Sequence, residues 1–214
     1  MAAQEQYKLV SAIQGRTQSS AEGRAIEKRV LQSNPCKEER QYHVQIESVQ
    51  KGVYCGGALL NTRWVLTASH CAERDEIELK KEVPTKLPTI SLPTGGSCTK
   101  LNNEQIVRIG GMGPAELGSS KLSKEVRCAV TEISECGEND KPGEKYHSDE
   151  TSTMCASKSG VASCFSDAGS AVEFNHDLYG IIVSEPVDKC ANPIVMLSIC
   201  GYQDWISKTM QKNQ

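Results

Sequence analysis

An all-β fold, either a sandwich or a pair of barrels closed by one C-terminal helix, is predicted by three features of this 214-residue sequence. Short apolar runs, some alternating with period two, recur along most of the chain. Glycine and proline punctuate them. Helical spacing of apolar residues appears at the C-terminal end, in Tyr202, Trp205, Ile206 and Met210. The length suffices for one large β domain or two small ones with a real core.

Residues 1–29 are polar apart from Leu9, Val10, Ile13 and Ile26, and they read as a mobile leader or pro-segment. From Gln41 the pattern changes: Tyr42, Val44 and Ile46 alternate with His43, Gln45 and Glu47, which predicts a half-buried strand. Lys51-Gly52 makes a turn, and residues 55–60 and 64–67 are the next strands. Residues 72–86 are dense in charge and fit either a solvated strand or a short helix supported by Glu76 and Lys80. Further strands are expected at 105–109, 126–133, 178–183 and 194–199.

Charge is nearly balanced, 24 Lys and Arg against 27 Asp and Glu, so there is no basic footprint for a nucleic acid. No segment is apolar for long enough to span a membrane, and no membrane association is expected. The ten cysteines include no Cys-x-x-Cys pair, and His43, His70, His147 and His176 are not arranged near cysteine pairs. A structural zinc site is therefore not expected, nor any other metal or cofactor. A disulfide framework in an oxidising compartment is the better reading, with ten reduced cytosolic thiols as the alternative. The first residues lack the apolar run of a signal peptide, so secretion implies a preceding segment or an unconventional exit.

Residues 53–71 read Val-Tyr-Cys-Gly-Gly-Ala-Leu-Leu-Asn-Thr-Arg-Trp-Val-Leu-Thr-Ala-Ser-His-Cys. This segment resembles the catalytic-histidine segment of the trypsin-like serine proteases, peptidase family S1, and the resemblance runs from about Val30 to Met210. It implies a trypsin-like double β-barrel with a shortened first barrel and a C-terminal helix, divided into a leader, 1–29, and a protease-like domain, 30–214. It also implies five bridges: Cys36–Cys128, Cys55–Cys71, Cys98–Cys200, Cys136–Cys155 and Cys164–Cys190. Spacing alone could not fix this connectivity. One bridge of trypsin has no counterpart; its two positions fall at about Val107 and Phe174, which leaves a packable apolar pair instead of a lone thiol.

In this family a serine attacks, a histidine takes its proton and a buried aspartate orients the imidazole. By resemblance His70 is the histidine. For the aspartate, Asp75, in Asp-Glu-Ile-Glu-Leu, is the best match, yet it stands only five positions past His70, as though intervening strands were deleted. It is either the relic of the triad or an ordinary surface acid; five extended residues span up to ~17 Å, so the reach suffices. Where the family carries Gly-Asp-Ser-Gly-Gly, this chain reads Ser166-Asp167-Ala168-Gly169-Ser170. The attacking hydroxyl is replaced by the methyl group of Ala168, and Ser166 and Ser170 are too far along the turn to stand in for it.

Supporting positions differ as well. The oxyanion-site glycine becomes Ser166, the base of the specificity pocket falls at Ala162, and the substrate-pairing Ser-Trp-Gly becomes Ser184-Glu185-Pro186, where proline offers no N–H to a bound peptide. Glu27-Lys28-Arg29 before Val30 matches an activation-cleavage site, with Asp167 as the partner of the new amine, or else is a dibasic surface stretch. The expected function is that of a non-catalytic serine protease homologue, secreted and monomeric, that binds an unidentified protein partner. An active S1 endopeptidase and a truncated, poorly folding product are the alternatives.

Overall fold

The computed structural model describes residues 7–10, 33–48, 53–72, 88–94, 98–113, 122–137, 140, 152–158, 167–183 and 193–212, without the side chains of 7–10, 47, 48, 53, 70, 72 and 212. In chain order the strands are β1 (Tyr7–Val10), β2 (Asn34–Pro35), β3 (His43–Ser48), β4 (Val53–Leu59), β5 (Val65–Ala68), β6 (Ile106–Gly111), β7 (Arg127–Ser134), β8 (Thr153–Ala156), β9 (Ala171–Phe174), β10 (Asp177–Ile182) and β11 (Ile194–Ser198), followed by helix α1 (Gln203–Lys212).

The alternation around Val44 and Ile46 becomes β3, which pairs with β4 in a hairpin from His43↔Ala58 to Ser48↔Val53. The hairpin belongs to a four-stranded sheet in the order β1-β5-β4-β3. The second sheet runs β2-β7-β6-β9-β10-β11-β8, and an extra β7–β8 pairing closes six of its strands into a barrel. The chain is therefore all-β with two β lobes and one C-terminal helix.

Barrel closure explains the residue choice in β10 and β11. Ile182, Ile194 and Met196 face the inside of the barrel with Val107, Ile109, Ile133, Met154 and Val172. Their neighbours Ile181, Val195 and Leu197 face the other way, into a core shared with Val44, Ile46, Leu59, Val65 and Leu66 of the first sheet. Both faces of these strands are buried, so β11 reads as a continuous apolar run without alternation. α1 caps the shared core: Ile206 is fully buried, with Trp205 and Met210 packed beside it. Cys98–Cys200 and a bond from Gln203 Nε2 to the Pro93 carbonyl, 2.7 Å, tie its start to the body.

Four elements escape the sequence reading. β2 is too short, and β8 and β9 lack a clear period. β1 lies inside the segment read as a mobile leader; Tyr-Lys-Leu-Val has β propensity, and β5 offers it an edge. The charged stretch is outside the described residues from 73 onward.

Candidate active site

Position 168 lies in a tight turn. The Ser170 N–H donates to the Asp167 carbonyl at 3.0 Å, and Gly169 between them has φ +84, a left-handed value that L side chains rarely adopt. Two further bonds clamp the turn to β10, Gly169 N–H to Ile182 O at 2.8 Å and Ile182 N–H to Ser170 O at 3.0 Å. The Gly56 N–H of β4 donates to Ala168 O at 2.7 Å. Cys71 Sγ lies 3.7 Å from that same oxygen. Cys71 follows His70 in a 3₁₀ turn, Ser69–Ala72, and the Cys55–Cys71 bridge holds that turn against β4. The Ala168 carbonyl thus accepts from β4 and lies against the bridge that holds the histidine turn, nearly a hundred residues away in sequence.

The contact is close because Gly169 has no Cβ. One built there would collide with Gly56 O and Thr67 Oγ1, which are themselves joined by a 2.7 Å hydrogen bond. Ala168 is 3 % exposed. Ser170 is fully buried; its Oγ faces the Gly56 Cα and has no hydrogen-bond partner among the described residues. Asp167 is buried too, and one of its carboxylate oxygens accepts a 3.0 Å bond from the Gly113 N–H.

A buried polar group that the sequence reading missed stands beside this turn. Arg40, at φ 58, donates through Nη1 to Ala171 O at 3.0 Å and lies 4.0 Å from Glu173 Oε2. The Tyr42 hydroxyl donates to that same Glu173 oxygen at 2.8 Å. The Arg40 guanidinium is 5.9 Å from the Tyr42 ring centre, within cation–π range. Desolvation pushes the Arg40 pKa down, opposed by Tyr42 and Glu173, and burial pushes the Tyr42 hydroxyl up. No local spacing betrays this group, because Arg40 and Tyr42 each meet partners 131 residues away.

His43 sits next to it. Burial, reinforced by the Arg40 charge, lowers its imidazole from the usual 6.5 to about 4. Between those values the folded protein binds fewer protons than the unfolded chain. Stability should therefore be full above about pH 6.5 and fall by up to roughly 3 kcal/mol as the pH drops toward 4. Urea midpoints measured across that window should show the decline, and His43→Gln should flatten it. A variant with the wild-type slope would place the proton uptake elsewhere.

Of the expected bridges, Cys36–Cys128, Cys55–Cys71, Cys98–Cys200 and Cys136–Cys155 are present. Cys164 and Cys190 lie outside the described residues, as do Asp75, Ala162, Ser166, Ser184, Pro186, Arg29, Val30 and the His70 side chain. The β6–β9 register, Arg108↔Glu173 and Ile109↔Val172, carried one step further sets Val107 opposite Phe174. Val107 belongs to the barrel core and Phe174 packs against it.

The profile of the Trypsin family matches residues 30–83 and 76–206, most of the sequence. The chain belongs to the trypsin family. Among curated relatives of this trypsin-family chain, human kallikrein-11 is 29 % identical over 236 aligned positions, covering 87 % of this chain and 82 % of the relative. Trypsin II-P29 of chicken is 28 % identical, covering 73 % and 79 %. Mouse neuropsin, a serine protease of the brain, superposes with a TM-score of 0.65 at 21 % identity, over 84 % of this chain and 99 % of that one. The scabies mite inactivated protease paralogue S-D1 superposes with a TM-score of 0.69 at 16 % identity, over 84 % and 96 %. At these identities the two structures establish the fold alone. No described helix is long and apolar enough to cross a membrane.

Proposed function

We propose that this trypsin-family chain does not cleave peptides and acts by binding a protein partner outside the cell. What carries the reading is Ala168, assigned to the nucleophile position by resemblance, in a buried turn whose carbonyl lies against the Cys55–Cys71 bridge of the histidine turn. A methyl group offers no lone pair, so no acyl-enzyme can form. Ser170 is no substitute: its hydroxyl is sealed under the Gly56 backbone. The roles of His70, Asp75, Ala162, Ser166, Ser184 and Pro186 as remnants of triad, oxyanion site, pocket and edge strand belong to the same proposal. A serine-directed fluorophosphonate should leave the purified protein unlabelled. Stoichiometric labelling would favour the second reading, an active endopeptidase, which is what the names of the curated relatives suggest.

Secretion is part of the proposal and is supported by the four bridges. Non-reducing peptide mapping should recover them together with Cys164–Cys190. Two or more free thiols in folded material would overturn both the pairing and the compartment.

The activation step is proposed for the Arg29–Val30 bond. Trypsin should cut there first, and the freed Val30 ammonium should pair with Asp167, which is already buried and accepts the Gly113 N–H. The cut chain should then melt a few degrees higher than the intact one, with Asp167→Asn abolishing the difference. Equal melting would mean that Asp167 is already satisfied by contacts such as the Gly113 N–H and that the switch is lost.

A further inference from the structure

We infer that the outer edge of β5 is a binding site for an extended peptide segment, occupied in this structure by the chain's own residues Tyr7–Val10. The pairing is antiparallel and in unbroken register, Tyr7↔Ala68, Lys8↔Thr67, Leu9↔Leu66 and Val10↔Val65. β5 needs such a partner. Its four residues are all buried, and on its other side it pairs with β4 through only Ala58↔Leu66 and Leu59↔Val65. With β1 gone, a row of main-chain donors and acceptors in an apolar setting would have no other described strand beside it.

None of the described bridges reaches β1, and the connection through residues 11–32 ties it to the strands that follow. That connection contains Arg16, Arg24, Lys28 and Arg29. A cut after any of them would turn β1 from part of the chain into a bound peptide that can exchange. The edge leads directly into the turn that carries His70, so its occupancy bears on the surface beside the candidate site. The ligand class is an extended, largely apolar segment without proline, of the Tyr-Lys-Leu-Val kind, recognised mainly through its backbone.

The test uses the full chain carrying Lys8→Pro and Leu9→Pro together. Two consecutive strand residues send their N–H groups to opposite sides, so the pair of prolines removes at least one β1–β5 bond. A fluorescein-labelled peptide of residues 5–12 is the probe. The wild type should not bind it. The variant should bind it saturably, the alternate β5 amides that face β1 should exchange more than tenfold faster than in wild type, and the peptide, but not a scrambled version, should restore their protection. Unchanged protection in the variant, or no rescue by the peptide, would overturn the inference. Should the double variant fail to fold, the wild type decides. Slow exchange at Tyr7–Val10 supports the inference, and exchange there at the rate of a free chain rejects it.

Discussion

Purified, fully disulfide-bonded protein should hydrolyse arginyl and lysyl esters and amides no faster than buffer. Loss of the nucleophile in a serine protease lowers turnover by about 10⁶, and what remains comes from substrate binding and oxyanion stabilisation. In the proposed reading of the site those remnants are altered too. Ser166 stands where an oxyanion-site glycine is expected, Ala162 where a charged pocket base is expected, and Pro186 lacks the N–H for strand pairing with a peptide. For this reason Ala168→Ser alone should not restore cleavage after Lys or Arg. Measurable turnover by that single variant, sensitive to a fluorophosphonate, would mean that these three positions matter less than their chemistry suggests.

The largest loss of stability from a single small substitution should come at Gly169. Adding a methyl group there forces an L residue to φ +84, which costs about 1–2 kcal/mol, and drives the new Cβ into the Gly56 carbonyl and Thr67 Oγ1. Overpacking of this kind costs a further ~1–3 kcal/mol, and because one obstacle is backbone it cannot swing aside. Gly169→Ala should therefore lower stability by roughly 2–5 kcal/mol, or about 5–20 °C in melting temperature for a chain of this size. Gly201→Ala is the control: a Cβ there meets nothing within 4 Å and should shift stability by less than about 0.5 kcal/mol. Similar losses at both glycines would show that the turn can relax, and that the coupling between the histidine turn and residue 168 is loose.

Sequence patterning revealed the parts of the fold whose cause is local. β3 was legible because Val44 and Ile46 are buried more completely than His43 and Gln45, which alternate with them on the other face. β10 and β11 were legible as apolar runs, although nothing in the run says that two different cores need them. β8 and β9 were not legible, since each is four residues long and takes its identity from barrel neighbours. At the candidate site, four of the bridges expected by resemblance are now observed, while the roles of His70 and residue 168 rest on the resemblance itself. The Arg40–Tyr42–Glu173 group was not legible, because its meaning depends on contacts across 131 residues that no periodicity encodes.

The shared wall of β10 and β11 has a consequence for how this molecule comes apart. Leu197 and Met196 are adjacent in sequence yet belong to different cores, so neither lobe owns that strand. Opening one lobe exposes apolar surface that the other depends on, and α1 is stacked on the same wall through Ile206. The two lobes are therefore not independent folding units. Heat should melt them in one calorimetric peak whose enthalpy matches the van't Hoff value, and a lobe expressed without its neighbour should be insoluble.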